Sequence, residues 1–146
     1  MRLLLVIFLT LGILTVAQAD DRPRCEVCRM FWDISSTRVE ASIKADGKTA
    51  AHKFESFGCL AQFMKAGDKS LVSVKVLDYG TAASKTPKLI DAKKAWFLHG
   101  TSKLKGSMAP FIAAFATKDA ATKAQKDLGG DLMQWDKLWK KLTAAK

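Results

Sequence analysis

The sequence predicts an α+β fold, in which residues 20–146 form one domain of two tandem ββαβ units closed by a C-terminal amphipathic helix. The order strand, strand, helix, strand is predicted in residues 36–80 and again in residues 93–146. An aromatic residue followed two positions later by a hydroxyl residue, which can cap a helix, precedes both predicted helices. This shared pattern indicates an internal duplication.

The first unit begins with a predicted hairpin. Apolar and polar residues alternate in residues 39–43, and Asp46-Gly47 is a strong signal for a tight hairpin turn. Ser56 can cap the helix that follows, whose apolar residues recur at helical spacing until a glycine ends it. The alternating valines of residues 71–77 then predict a strand.

The second unit repeats this order. Strands are predicted in residues 95–100 and 111–117, an alanine-rich helix in residues 118–129, and a short strand in residues 131–135. The final helix, residues 135–142, has one apolar and one lysine-rich side, which favours a lid that closes the core. Such a helix also suits a membrane surface. Its apolar stripe consists of Trp135, Leu138, Trp139 and Leu142.

Residues 1–19 have the pattern of a cleavable signal peptide. They contain a basic start, an apolar run too short to span a bilayer, and a small-x-small triplet ending at Ala19. Cleavage after Ala19 would leave Asp20 first, rather than a cysteine to which a lipid could be attached. We therefore expect a periplasmic protein without a lipid anchor.

The chain is basic, with 24 lysines and arginines against 14 acidic residues and a net charge of +10. The lysines are spread along the chain, often at helical spacing, without a tight basic run or an aromatic-rich RNA-binding motif. This distribution indicates a solvated surface, with docking to an acidic partner or to an anionic membrane surface as alternatives. It argues against nucleic acid as a partner.

Cys25, Cys28 and Met30 lie within the segment CEVCRM, residues 25–30, which we call the claw. Haem attachment is excluded because no histidine follows Cys28, and zinc is disfavoured because the sequence offers no second ligand pair. A thioredoxin-like pair is disfavoured because the claw is expected in a loop rather than at a helix N-terminus. A structural disulfide between Cys25 and Cys28 remains open, as does a redox-active pair.

Met30 favours a soft metal over these alternatives. Thiolate and thioether together form a donor set that selects Cu(I), which accepts two or three ligands. Close spacing in a flexible loop would let the three donors of the claw converge. The three cysteines of the chain argue against a plain structural disulfide, because in an oxidising compartment they cannot all pair internally. One thiol is left free, or a metal or a partner redox protein keeps several of them reduced.

Further candidates lie outside the claw. Met108 follows a Gly-Ser turn and is a candidate for an extra copper donor. Cys59 is on the first predicted helix, where we expect a buried small hydrophobic residue or an accessory thiol. His52 and His99 are expected to be strand histidines without a role as ligands.

Four short stretches resemble, in their order along nearly the whole mature chain, the NosL family of copper chaperones. They are the C-x-x-C-x-M claw followed by a hairpin, FESFGCL, SMAPFIAAF and GGDLMQW. The resemblance implies an exported Cu(I)-binding protein that is not an enzyme, with donors at Cys25, Cys28 and Met30. Two features depart from the family: Arg29 stands where glycine is usual, and many members carry the lipid attachment site that is not recognised here.

The resemblance also implies a client, because members of the family supply copper for the copper–sulfide centre of nitrous oxide reductase. We therefore expect a Cu(I) carrier that serves a client copper enzyme or its maturation complex, with assembly of that centre as the favoured task. The alternative is a periplasmic thiol–disulfide oxidoreductase using Cys25 and Cys28. A carrier would depend on Met30, whereas an oxidoreductase would need only the two thiols.

Overall fold

The computed structural model describes residues 20–101, 103–104 and 109–144. The predicted signal peptide, residues 1–19, and the candidate donor Met108 lie outside these residues. The helices and strands of the described part are β1 (Val39–Ala45), β2 (Lys48–Phe54), α1 (Phe57–Met64), β3 (Lys69–Leu77), β4 (Leu89–Asp91), β5 (Trp96–His99), β6 (Ile112–Phe115), α2 (Lys118–Leu128), β7 (Asp131–Gln134) and α3 (Trp135–Ala144).

The strands form two antiparallel sheets, with the orders β2-β1-β3-β4 and β6-β5-β7. In both sheets the first strand of the unit lies between the second strand and the strand that follows the helix. The predicted α+β class and the predicted order of elements in both halves are therefore confirmed. The sequence pattern did not predict β4, because its three residues are too few for a readable alternation.

The hairpin of β1 and β2 has the turn that its sequence requires. Asp46 and Gly47 have φ angles of 51° and 76°, both in the left-handed region that a two-residue hairpin turn uses. The apolar side chains of Val39, Ala41 and Ile43 are all buried on one face of β1. The hairpin therefore presents one face to the core, and β2 leads directly into α1.

Helix α1 packs the first half of the chain against the second. Phe57, its first residue, contacts the rings of Phe97 on β5 and Trp135 on α3, with ring centroids 5.6 and 6.5 Å apart. Its N-terminus is capped by Ser56, whose side chain accepts a hydrogen bond from the amide of Cys59. The position of Cys59 is therefore determined by a capped helix end that is anchored in the core.

Helix α3 covers the core with its apolar stripe, as a lid would. Trp135, Leu138 and Leu142 are buried, and the half-buried ring of Trp139 stacks on Trp135 at a centroid distance of 5.2 Å. Burial of this stripe in the fold favours the lid over a helix that lies on a membrane. Among the described residues, the helices are all too short or too polar to cross a bilayer.

Candidate metal centre

The claw is a closed, hydrogen-bonded turn. The amide of Cys25 donates to the carbonyl of Met30 over 2.8 Å, and the amide of Arg29 donates to the carbonyl of Cys25 over 3.1 Å. The amide of Glu26 donates to the carbonyl of Lys53 on β2 over 2.9 Å. Backbone hydrogen bonds therefore hold the claw both to itself and to the edge of the first sheet, and its predicted flexibility stays a prediction.

Arg29 adopts a backbone conformation that suits glycine. Its φ angle is 63°, in the left-handed region that carries a steric penalty for a residue with a Cβ atom. The resemblance noted above places the family's usual glycine at this position. The conformation of the turn is thus compatible with arginine, at the expense of local strain.

Three sulfur atoms meet where the claw contacts the start of α1. The Sγ atoms of Cys25, Cys28 and Cys59 all lie within 4.8 Å of one another. Metal–thiolate bonds of about 2.3 Å would place three sulfurs around a shared ion roughly 4 Å apart, so the triad is close to the spacing of a trigonal site. Cys25 is fully buried, Cys59 is buried and Cys28 is half-buried. We call these three residues the thiol triad.

The surroundings of Cys25 favour its thiolate. Its pKa falls to about 4, chiefly because the thiol of Cys59 donates a hydrogen bond to its sulfur. Backbone amides of Glu55, Cys28 and Val27 donate further hydrogen bonds, which together with that of Cys59 outweigh the opposing effect of burial. The pKa of Cys59 is raised because its proton is held by Cys25, and burial raises the pKa of Cys28. In the metal-free triad these shifts favour the ionised form of Cys25 and the protonated forms of Cys28 and Cys59.

Buried hydroxyl groups hold the carbonyl of Glu55, a residue whose amide reaches Cys25. The hydroxyl of Ser35 donates to the carbonyl of Glu55 over 2.7 Å, and the hydroxyl of Thr37 donates to the same carbonyl over 3.2 Å. Both hydroxyl residues are buried, so these hydrogen bonds are shielded from water. The segment that joins β2 to α1 is held in place behind the triad.

Met30 lies beside the triad at the surface. It lines a cavity of about 470 Å³ together with Cys28 and Glu55, and 44% of the residue is exposed. A thioether in this cavity is available to approach a metal from the solvent side of Cys28. The structure therefore places Met30 at the surface on the same cavity as Cys28, and its role as a copper donor stays a prediction.

The structure brings the predicted candidates together only in part. Cys25, Cys28 and the less favoured Cys59 form the triad, whereas His52 and His99 are not part of it. His52 instead packs against the ring of Phe63 at 4.9 Å. The spacing of the claw made two members of the triad visible in the sequence, but Cys59 is distant along the chain. Two features of the sequence could have pointed to Cys59. The number of cysteines is odd, and Cys59 lies in the first turn of a helix that directly follows β2.

Comparison with known proteins decides the family. A family model described as NosL matches residues 16–143. The chain belongs to the NosL family. It is also similar to the crystal structure of the copper chaperone NosL from Shewanella denitrificans, with 28% sequence identity and a TM-score of 0.64. That similarity covers 82% of this chain and 92% of the Shewanella chain. A search of curated proteins finds no match.

Proposed function

We propose that this NosL family member is an exported carrier that binds one Cu(I) ion at the thiol triad and delivers it to a client copper enzyme. The single observation that carries the proposal is the convergence of three sulfurs within 4.8 Å. Cu(I) is the cargo that this soft donor set suits best. Membership of a family that includes a copper chaperone supports the same role.

Each residue has a distinct task in this proposal. Cys25 supplies a thiolate before the metal arrives, and Cys28 and Cys59 lose their protons as copper binds. Met30 adds a thioether donor on the exposed side, where copper enters and leaves. Such an arrangement suits a carrier, because a site of few ligands can be opened by a donor side chain of the client.

The client we propose is nitrous oxide reductase, whose copper centre the protein would help to assemble, as the family resemblance suggests. The location we propose is the periplasm, which is supported by the signal-peptide pattern of residues 1–19. A test in cells is the copper content of nitrous oxide reductase in a strain that lacks this protein. Full copper content in that strain would contradict the proposed client without contradicting copper binding.

Anaerobic titration of the reduced protein with Cu(I), against a competing chelator, tests the proposal directly. We expect one Cu(I) per chain and tighter binding of Cu(I) than of Zn(II). Replacing Cys59 by serine removes a metal ligand, so Cu(I) affinity should fall by more than about a hundredfold, beyond the usual effect of losing a supporting residue. Equal or tighter binding of zinc would exclude the carrier role.

Met30 can be tested separately from the triad. Met30→Leu keeps the apolar volume but removes the thioether, so Cu(I) affinity should fall by about tenfold while the reactivity of the three thiols is unchanged. The matched control is Met64→Leu, because Met64 packs against the main core on α1. If both variants bind Cu(I) like the original protein, Met30 is not a donor.

A further inference from the structure

The cavity beside Cys28 opens through a rim of arginine and apolar side chains, formed by Arg24, Arg29, Met30, Phe31 and Ile34, which we call the arginine rim. In the described part of the chain only four large apolar residues are exposed, and two of them belong to this rim. They are Met30, with 44% exposure, and Ile34, with 71%. Exposed apolar groups clustered beside a metal site indicate a contact surface.

Half of the rim is ordered before any partner arrives. The guanidinium carbons of Arg22 and Arg24 each lie 4.1 Å from the centre of the Phe31 ring. Arg24 also donates a hydrogen bond to the carbonyl of Arg29 over 3.2 Å, and Arg22 is paired with Asp33 over 2.9 Å. Prior ordering lowers the entropy lost on binding, which favours this surface as an interface.

Arg29 provides the second, independent observation. Its backbone is held at a φ of 63°, which a glycine would adopt without penalty. Its side chain is exposed and, among the residues that the structure describes, its guanidinium makes no hydrogen bond or ion pair. A strained residue with an unengaged charged group beside a candidate metal site indicates a role in binding rather than in folding.

We propose that the arginine rim docks an acidic protein segment of the molecule that exchanges copper with this protein. This inference rests on the proposed function. Arg24 and Arg29 receive carboxylate groups of the partner, and Met30 and Ile34 receive its apolar side chains. Guanidinium groups pair with carboxylates through two parallel hydrogen bonds, so the rim would also orient the partner over Cys28.

The shape of the site favours a protein over a membrane. The cavity is concave, with a volume of about 470 Å³ that a protruding side chain can enter, and Cys28 lies in its wall. A flat bilayer surface could contact the exposed rim but could not carry a donor atom to the sulfur. Arginine, methionine and aromatic residues are also enriched at the centres of protein interfaces.

The test compares two synthetic peptides of equal length that carry the same pair of cysteine donors, kept reduced. In one peptide the donors are flanked by aspartates, and in the other by asparagines. The rate of Cu(I) transfer from the loaded protein to each peptide is measured by stopped flow at low and at high ionic strength. Association of each peptide with the metal-free protein is measured by fluorescence anisotropy, which tests docking without copper.

Three variants separate the effect of the Arg29 guanidinium from the effects of backbone strain and of net charge. Arg29→Ala and Arg29→Gly both remove the guanidinium, but only the glycine variant relieves the strain. Lys85→Ala is the control, because it removes one positive charge at an exposed position that does not line this cavity. Circular dichroism confirms that each variant is folded.

We expect the original protein to transfer copper to the aspartate peptide at least about fivefold faster than to the asparagine peptide at low salt, and we expect high salt to remove the difference. Both Arg29 variants should lose most of this preference and bind the aspartate peptide more weakly, whereas Lys85→Ala should retain it. Equal behaviour of Arg29→Ala and the original protein would overturn the inference.

Vesicles of phosphatidylglycerol test the membrane alternative. Binding to vesicles that depends on Arg29, without discrimination between the peptides, would overturn docking of an acidic protein segment. Failure of the proposed function is a separate result, because it would appear in the equilibrium titration as weak Cu(I) binding by the triad. The anisotropy measurement still decides the inference in that case.

Discussion

Cys25 is the residue whose chemistry depends most on its surroundings. Its pKa is lowered from the ordinary value of 9.0 to about 4, with the hydrogen bond from Cys59 as the largest cause. Ionisation of Cys25 therefore stabilises the fold fully above pH 9.0, and this stabilisation is lost as the pH falls through about 4. At neutral pH the metal-free protein should contain one thiolate.

The ultraviolet absorbance of the thiolate checks this prediction. The absorbance should persist from neutral pH down to about 4, and Cys25→Ser should abolish it. Cys59→Ala removes the main hydrogen bond and should move the midpoint upward, whereas Cys59→Ser keeps a donor and should move it less. Thiolate absorbance that appears only in alkaline solution would contradict the assignment.

Arg29 should limit the stability of the metal-free protein. Removing the strain of a residue held in the left-handed conformation raises the free energy of unfolding by about 1–2 kcal/mol. The greater freedom of glycine in the unfolded chain lowers it again by about 0.4–1 kcal/mol. Arg29→Gly should therefore raise the free energy of unfolding by about 0.5–1 kcal/mol in urea denaturation. Arg29→Ala keeps the strain and should leave stability nearly unchanged, so similar results for the two variants would argue against strain.

The sequence made Cys25, Cys28 and Met30 visible because their spacing is local. It could not place Cys59 with them, because that proximity depends on the hydrogen bond from Glu26 to Lys53, which docks the claw beside the end of β2. The same docking buries Cys25 in the main core. Local spacing therefore predicts part of a site, whereas contacts between distant segments complete it.

Among the elements, α1 carries the third thiol and packs closely against the segment before β6. A Cβ atom added at Gly58 would lie 2.6 Å from the carbonyl oxygen of Ala109 and 3.0 Å from Cδ of Pro110. Glycine at this position lets the helix approach the segment before β6. Because Cys59 is the next residue, this approach also determines where the third thiol lies.

Gly58→Ala should therefore destabilise the protein although alanine favours helices. The gain in helix propensity is at most about 1 kcal/mol, whereas overpacking against backbone costs about 1–3 kcal/mol. Thermal denaturation should show a lower Tm and Cu(I) titration a weaker affinity. The control is Gly80→Ala, whose added Cβ would be 3.5 Å from Asp78 Oδ1, an ordinary contact. An unchanged Tm for Gly58→Ala would show that the neighbouring segment yields freely.

Most elements could be predicted because local signals agree with the fold. Asp46-Gly47, Ser56 and Thr117 each stand at the turn or helix cap that the sequence indicated. The pairing of β5 between β6 and β7 could not be read from local patterns, since it depends on contacts between distant residues. The orders β2-β1-β3 and β6-β5-β7 are nevertheless equivalent, as a repeated unit would require.

At the scale of the whole molecule, the triad links two segments that are separate in sequence. Copper bound by Cys25, Cys28 and Cys59 would connect the claw to α1, so it should bind the folded chain more tightly than the unfolded chain, in which only the local donors of the claw remain together. Free Cu(I) at about 100 times its Kd should then add up to about 2.7 kcal/mol to the free energy of unfolding, and less to the extent that the unfolded chain also binds the ion. A rise in Tm on adding Cu(I), reversed by a chelator, checks this.

Cys59→Ser is the control for that linkage. Copper held by the claw alone would not join the two segments tightly, so the rise in Tm should be much smaller in this variant. An equal rise in both proteins would mean that copper binds without Cys59.

The unequal depth of the three sulfurs sets an order for ligand substitution. Cys28 is half-buried at a cavity wall and is the most exposed of the three residues, whereas Cys59, which lines a separate cavity, is buried and Cys25 is fully enclosed. If the triad carries copper as proposed, an incoming donor would replace Cys28 first, while the two inner thiolates still held the ion. Release would thus proceed through a shared intermediate in which copper is never free in solution, and the last bond to break would be the one to Cys25.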